Sequence, residues 1–295
     1  MTDNATLLVT GAGGKLGRLV VERLLAQGRK VIAASRDTAR LADLAARGAE
    51  LRRADFDDPA SLAAAFAGVD RVLLVSTDEL ARPGRRLAQH TAAVKAAAEA
   101  GVKHVVYTSM PNPEPGSPIP FAPDHYGTEQ ALAASPLGWT VLRNSWYAEN
   151  LLLGTLQHAA ATGQWYSAAG DGKVNYVTRA DCAAAAAGAL ANPPAGNTIL
   201  TVTGPEALTT AEIVAKVAAV AGKPVAVVPV EEAAIAAGLK AAGLPDPYPA
   251  VLATFDTNTR IGKADVLTDA VEQLSGVRPQ SLDAFLVANR AAFAG

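Results

Sequence analysis

Leu7-Leu8-Val9-Thr10-Gly11-Ala12-Gly13-Gly14-Lys15-Leu16-Gly17 is the stretch on which the reading of this chain turns. The apolar run Leu7–Val9 has the length and composition of a buried strand. Glycines follow at 11, 14 and 17, and then apolar residues at helical spacing: Leu16, Leu19, Val20, Leu24 and Leu25. Strand, glycine turn and helix, in that order, are the context in which such a motif signals a dinucleotide site. Gly11 lets the chain turn sharply out of the strand. Gly14 puts no side chain between backbone and pyrophosphate. Gly17 lets the helix pack close to the sheet, and the helix start offers free N–H groups to phosphate oxygens. The spacing is G-x-x-G-x-x-G, with Gly11 and Gly13 also forming a G-x-G. Thr10, Gly11, Ala12, Gly13, Gly14, Lys15, Leu16 and Gly17 are therefore candidate cofactor-binding residues. The competing reading is a tight turn in some other α/β protein.

Working outward, Val31–Ser35 reads as a second strand, followed by Arg36 and Asp37. An acidic residue at this place suits the ribose 2′-hydroxyl of NAD, whereas a guanidinium suits a 2′-phosphate. Arg36 thus favours NADPH, and Asp37 keeps NADH open. Thr38–Arg47 reads as a helix and Glu50–Asp55 as a third strand, with Asp55 and Phe56 at the edge where an adenine would lie. Asp58-Pro59 is a helix start, with the cap and first-turn residues expected there. Arg71–Val75 is a fourth strand ending in Ser76-Thr77. Gly84–Ala100 is a long helix, and His104–Ser109 a fifth strand. In open parallel sheets ligands sit beyond the carboxyl ends of the strands, which places Ser76, Thr77 and Ser109 near the cofactor. Strand-end hydroxyls also serve as plain capping groups.

Prolines at 111, 113, 115, 118, 120 and 123 make Met110–Pro123 a stiff loop, either a lid over a pocket or a passive connection. His125–Ala134 reads as a helix and Trp139–Arg143 as a sixth strand. Asn144-Ser145-Trp146-Tyr147-Ala148-Glu149-Asn150 follows, dense in amides and aromatics. Later elements are sparser: a turn at Gly170-Asp171-Gly172, capping boxes at Thr178 and Thr209, strands at Thr198–Val202 and Val225–Val230, and a helix from Ser281. Strand–helix alternation predicts an α/β fold: a doubly wound parallel Rossmann sheet over 1–145, and a smaller α/β substrate domain over 146–295. The strands near 139–143 and 198–202 are expected to join the first sheet.

Composition narrows the function classes. Of 295 residues, half are hydrophobic and 18% are charged, which supports a sizeable core. A net charge of −2 favours neither nucleic acid nor an anionic membrane. Cys182 is the single cysteine, so no intrachain disulfide forms. Without a signal-like start or a membrane-length apolar run, the expectation is a soluble cytoplasmic monomer or homodimer acting on a small molecule. His90, His104, His125 and His158 show no ligand spacing, so no metal is expected.

Taken together, these motifs resemble the NmrA-like group of atypical short-chain dehydrogenase/reductases, within it the quinone oxidoreductase and triphenylmethane reductase types. The matching residues are Thr10–Gly17, Arg36, Ala54-Asp55, Tyr107-Thr108-Ser109, Thr128-Glu129, Leu142–Asn150, Ala169–Lys173 and Thr178–Asp181. The resemblance implies NADPH as cofactor and quinones or other conjugated molecules as acceptors. It implies that Gly11 to Leu16 wrap the pyrophosphate and that Arg36 meets the 2′-phosphate. It also implies that Ser76 and Thr77 flank the path to the nicotinamide, bordered by Asn144, Ser145, Trp146, Tyr147 and Glu149. One departure matters. Short-chain dehydrogenases pair tyrosine with a lysine four residues on, and here Tyr126 is followed by Gln130. A neutral amide does not lower a phenol's pKa as an ammonium does. Tyr126, His125 and Tyr147 are the candidate proton donors, each with a bland alternative: a surface residue, a helix cap, and packing against Trp146. A quinone tolerates the loss, because its reduced oxyanion is a weak base that water can protonate. The alternatives are a ketone, imine or enone reductase on the same scaffold, and a non-catalytic regulator that senses the dinucleotide.

Overall fold

The structure, a computed structural model, describes residues 4–293. Its centre is a seven-stranded parallel sheet built from β1 (Leu7–Val9), β2 (Val31–Ser35), β3 (Glu50–Arg53), β4 (Arg71–Leu74), β5 (His104–Ser109), β6 (Gly138–Asn144) and a late strand, Thr198–Val202. The order across the sheet is β3-β2-β1-β4-β5-β6 and then the late strand, whose Thr198–Val202 pair in register with Thr140–Asn144. Leu7 and Leu8 have no exposure because β1 is paired on both sides and covered on both faces. Strand order reverses at β1 and β4, and the cleft opens there.

Helices α1 (Lys15–Ala26), α2 (Ala42–Ala46), α3 (Pro59–Phe66), α4 (Arg85–Glu99) and α5 (Ala122–Ala133) supply the crossovers. The expected helix over 38–47 divides into a short 3-10 turn, Ala39–Leu41, and α2. Asp58 caps α3 as expected, its carboxylate accepting the Ser61 N–H at 3.3 Å. Helix α5 begins at Ala122, earlier than the prolines suggested. Pro123 lies in its first turn, where no amide hydrogen is needed.

Beyond β6 come β7 (Trp146–Tyr147), α6 (Thr155–Thr162), β8 (Gln164–Ser167), β9 (Lys173–Val177), α7 (Arg179–Ala191), β10 (Thr198–Val202, the late strand), β11 (Ala207–Thr209), α8 (Thr210–Ala221), β12 (Ala226–Pro229), α9 (Glu232–Ala241), α10 (Tyr248–Arg260), α11 (Ala270–Ser275) and α12 (Leu282–Ala288). Strands β11, β9 and β7 form a three-stranded sheet, and β12 pairs with β8. The alanine run of α7 lies against α1 and is almost wholly buried; small side chains let these helix backbones come close. Residues 179–202 therefore pack with the large sheet although they follow the expected boundary at 145. A separate core forms around Trp146, Leu156, Trp165, Val217 and Phe285. Met110 and Ile119 of the proline-rich loop are buried in it, and Asn112 donates from Nδ2 to the Lys263 carbonyl at 2.7 Å. That loop is a seam between the two cores.

Candidate active site

One large cleft runs along the carboxyl rim of the sheet, with a volume of about 990 Å³. Gly11, Gly13, Gly14, Lys15, Leu16 and Gly17 form its first wall. Gly11 has φ +61, a left-handed conformation that only glycine adopts cheaply, and its carbonyl accepts the Gly14 N–H at 2.9 Å. A Cβ on Gly17 would stand 2.4 Å from the Gly11 oxygen. No side chain caps the start of α1, which leaves its first N–H groups for an anion. Thr10 and Ala12 are fully buried beneath this loop. The Thr10 hydroxyl donates to the Leu73 carbonyl and accepts the Val75 N–H at 2.9 Å, tying β1 to β4 rather than facing the cleft.

Arg36, Asp37 and Arg40 line the same cleft at the end of β2, and all three are exposed. The Asp37 carboxylate accepts the Ala39 N–H at 3.1 Å, so it caps the local 3-10 turn. Arg36 and Arg40 leave two guanidinium groups beside the glycine loop, the donor set a ribose 2′-phosphate calls for. Ala54, Asp55 and Phe56 stand opposite, at the end of β3. A dinucleotide with a 2′-phosphate fits these residues.

The middle of the cleft is floored by Ser76, Thr77 and Thr108. Ser76 N–H donates to Thr108 Oγ1 at 2.9 Å, joining β4 to β5. Thr77 Oγ1 donates to Gln89 Oε1 at 2.9 Å, and Gln89 Nε2 donates to Asp57 Oδ1 at 3.0 Å. That amide, with Arg85 beside it, holds the Asp57 carboxyl below its ordinary range. Ser109 does not reach the cleft. It is buried and donates to Glu129 at 2.6 Å, and Glu129 in turn binds Arg143.

Tyr147 closes the far end. The Arg179 guanidinium lies over its ring at 4.6 Å, and Glu149 orients Arg179 through its backbone N–H at 2.9 Å. Asn144 Nδ2 donates to the Tyr147 hydroxyl at 3.3 Å, while its buried Oδ1 has no partner. Burial raises the Tyr147 pKa, so the phenol stays protonated at neutral pH. Trp146, expected beside it, points away: successive strand residues face opposite sides. Its indole stacks on Phe255 and lines a separate, smaller cavity. Ser145 is also buried, its hydroxyl donating to the Asn175 carbonyl at 2.6 Å.

The expected donors on α5 fare differently. The inner face of this helix carries His125, Thr128, Glu129 and Leu132, all buried, at i, i+3, i+4 and i+7 spacing. Tyr126 and Gln130 fall outside that stripe; Gln130 is exposed and neither lines the cleft. His125 is 3% exposed, and burial holds its pKa well below 6.5. Its Nε2 accepts from Arg86 Nη2 at 2.9 Å, so Nδ1 carries the hydrogen and donates to the Tyr107 hydroxyl at 2.9 Å. His125 is thus a neutral, internally bonded group and not a solvent-linked acid. His90 lies on the other side of Tyr107, its Nε2 accepting the Thr77 N–H at 3.0 Å, with its pKa lowered to about 3 by burial.

Sequence reasoning missed Arg40, Gln89 and the Asp246-Pro247-Tyr248 edge, all of which line the cleft. The prolines at 245, 247 and 249 flagged a loop there, but nothing local signalled that it crosses to the cofactor side.

Known proteins of similar sequence and shape carry the same architecture. Quinone oxidoreductase 2 of Escherichia coli is 38% identical over 258 residues, covering 87% of this chain and 88% of that one. The NADPH complex of the NADPH-dependent quinone oxidoreductase from Escherichia coli superposes with a TM-score of 0.88 at 36% identity, covering 96% and 99% of the two chains. Citrobacter sp. triphenylmethane reductase in complex with NADP(H) gives 0.88 at 32%, covering 97% and 99%. An NAD(P)H azoreductase of Xenophilus azovorans is 30% identical over 290 residues, 97% of this chain and 99% of that one. The model of the NmrA-like family matches residues 3–283, and this chain belongs to that family.

Proposed function

We propose that this chain is an NADPH-dependent reductase of quinone-like or other conjugated acceptors. The observation that carries the reading is the single cleft running from the Gly14 loop, past Arg36 and Arg40, to Tyr147. Bound in it, NADPH supplies a hydride. Gly13 and Gly14 with the open start of α1 hold the pyrophosphate, and Arg36 with Arg40 hold the 2′-phosphate. Asp37 is turned to its own helix, which supports NADPH over NADH.

At the far end, Tyr147 offers a flat ring wall stiffened by Arg179 behind it. The chain's main task there is positioning: holding an aromatic acceptor against the cofactor in the right geometry. Gln130 stands where a lysine would follow Tyr126, and burial keeps the Tyr147 phenol protonated, so the acceptors that suit the site are those whose reduced form needs no strong proton donor. Quinones meet that condition and aliphatic ketones do not. We read residues 1–145, completed by 179–202, as the cofactor half and most of the remainder as the acceptor half. We further read the chain as a cytoplasmic monomer or homodimer; no described helix is long and apolar enough to cross a membrane.

The test is NADPH consumption with benzoquinone or menadione against aliphatic ketones, run in parallel with NADH. Turnover of quinones with NADPH is expected. Brisk ketone reduction without quinone turnover would reverse the assignment, and no transfer of deuterium from labelled NADPH to any acceptor would point to a dinucleotide-sensing regulator.

A further inference from the structure

Arg86 is an anomaly in this fold. It is the second residue of α4, it is 5% exposed, and among the described residues no carboxylate lies within ion-pairing distance of it. A buried cation is ordinarily paired, because taking it out of water costs several kcal/mol. Here the guanidinium has a neutral partner, His125 Nε2 at 2.9 Å, and an aromatic one, the Phe121 ring at 5.2 Å, while its Nε is buried with no partner. Asp78, Asp124 and Tyr147 lie in its field without bonding it. Two of these, Asp78 and Tyr147, line the cleft. Phe121 leads on to Phe255 at 6.3 Å, and Phe255 to Trp146. Those rings lead to the smaller cavity, so Arg86 lies beneath the cleft surface and not on it: its charge reaches the cleft residues Asp78 and Tyr147 although its side chain does not line the cleft.

We propose that Arg86 supplies the positive charge against which the oxyanion of the reduced acceptor forms, with His125 as the residue that positions it. This rests on the quinone-reductase reading above. When a hydride passes from NADPH to a quinone, the cofactor leaves as NADP⁺ and the quinone becomes a hydroquinone monoanion, which then takes a proton from water. A fixed cation in a dry setting stabilises that developing charge without reorganising. In this chain the charge comes from α4, whereas Gln130 leaves α5 with none at the place of the missing lysine. Tyr107 completes the arrangement: by accepting from His125 Nδ1 it keeps Nε2 free to face Arg86.

The test uses two acceptors of opposite charge behaviour. Hydride transfer to a triphenylmethane cation gives a neutral product and creates no oxyanion. Arg86→Met is expected to lower quinone kcat about tenfold, less than the roughly 100-fold or more lost with a donor that touches the oxyanion, and to leave dye kcat within about threefold. Arg86→Lys is expected to restore part of the quinone rate. Independently of turnover, 2-hydroxy-1,4-naphthoquinone, an anion at neutral pH, should bind Arg86→Met about tenfold more weakly by absorbance titration, and neutral menadione equally well. A quinone-to-dye ratio unchanged in a charge-removing variant, Arg86→Met or, where that does not fold, Arg86→Gln, or equal loss of both ligands, overturns the role of Arg86. Wild-type protein that reduces dye but no quinone overturns the underlying reading instead, and the inference with it.

Discussion

The indole of Trp146 and the ring of Phe255 lie face to face, centroids 4.4 Å apart and planes 7° from parallel. This pair joins the end of the Rossmann sheet, through β7, to α10 in the later half of the chain. Removing Phe255 as Phe255→Ala should cost about 3 kcal/mol of stability, read as a lower urea midpoint. It should leave NADPH affinity, measured by fluorescence titration, within about twofold of wild type, since Phe255 lines the smaller cavity and not the cofactor cleft.

Gly14 and Gly17 should respond differently to the same added methyl group. A Cβ on Gly14 would meet only the Gly11 oxygen at 3.2 Å, a contact a small shift relieves. Gly14→Ala should therefore fold nearly as well as wild type and lose NADPH affinity, because the methyl group stands where the pyrophosphate approaches. Gly17→Ala puts its Cβ 2.4 Å from one backbone atom and 2.7 Å from another. It should lose about 1–3 kcal/mol of stability as well as binding. Paired thermal melts and titrations separate the two outcomes.

Arg36 and Arg40 should act on NADPH alone. Charge-assisted hydrogen bonds contribute about 1.5–3 kcal/mol each, so Arg36→Ala is expected to weaken NADPH about 10-fold or more, and Arg36→Ala with Arg40→Ala further still. NADH affinity should hardly change. Equal loss for both coenzymes would remove these residues from the 2′-phosphate site.

Tyr126→Phe and Gln130→Lys should both be nearly silent. Gln130 is exposed and Tyr126 lies outside the inward stripe of α5, so restoring a lysine there puts it in water. Steady-state kcat for quinone should stay within about twofold of wild type for each. A gain in ketone reduction on Gln130→Lys would show that this face reaches the acceptor after all.

Mild acid should destabilise the fold. Burial lowers the pKa of His90 to about 3 and of His104 to about 4 from an ordinary 6.5, and lowers that of His125 as well. Above pH 6.5 these imidazoles are neutral in both states and contribute no pH dependence. As pH falls below 6.5 the unfolded chain takes up protons that the native chain refuses, so stability falls by up to about 1.4 kcal/mol per pH unit for each histidine. His104 is only partly buried and should contribute least. Urea unfolding between pH 7 and pH 5 measures the slope, and His90→Asn should flatten it by about one proton.

Much of the fold was legible because its signals are local. The strands β1, β2, β4 and β5 are runs of apolar residues, the glycine turn carries its own stereochemical demand at Gly11, and Asp58-Pro59 and Thr209 announce helix starts within four residues. Strands β8, β9 and β11 were not legible: each is short, and what makes it a strand is a partner far along the chain. The site divides the same way. Arg36 and the glycine loop follow from sequence, but whether Thr10, Ser109, Ser145 and Trp146 face a ligand depends on packing, and all four turn inward.

The sequence by itself determined the cofactor class and the parallel sheet, because backbone sterics, helix capping and apolar periodicity act over a few residues. Tertiary structure alone decided which groups stand around the acceptor. His125 became an internal acceptor and not an acid, and Arg86 a buried cation beside it, only because α4, α5 and β5 bring Arg86, His125 and Tyr107 into one water-poor space. There, burial and the shared hydrogen bonds, not the residue types, set each group's charge.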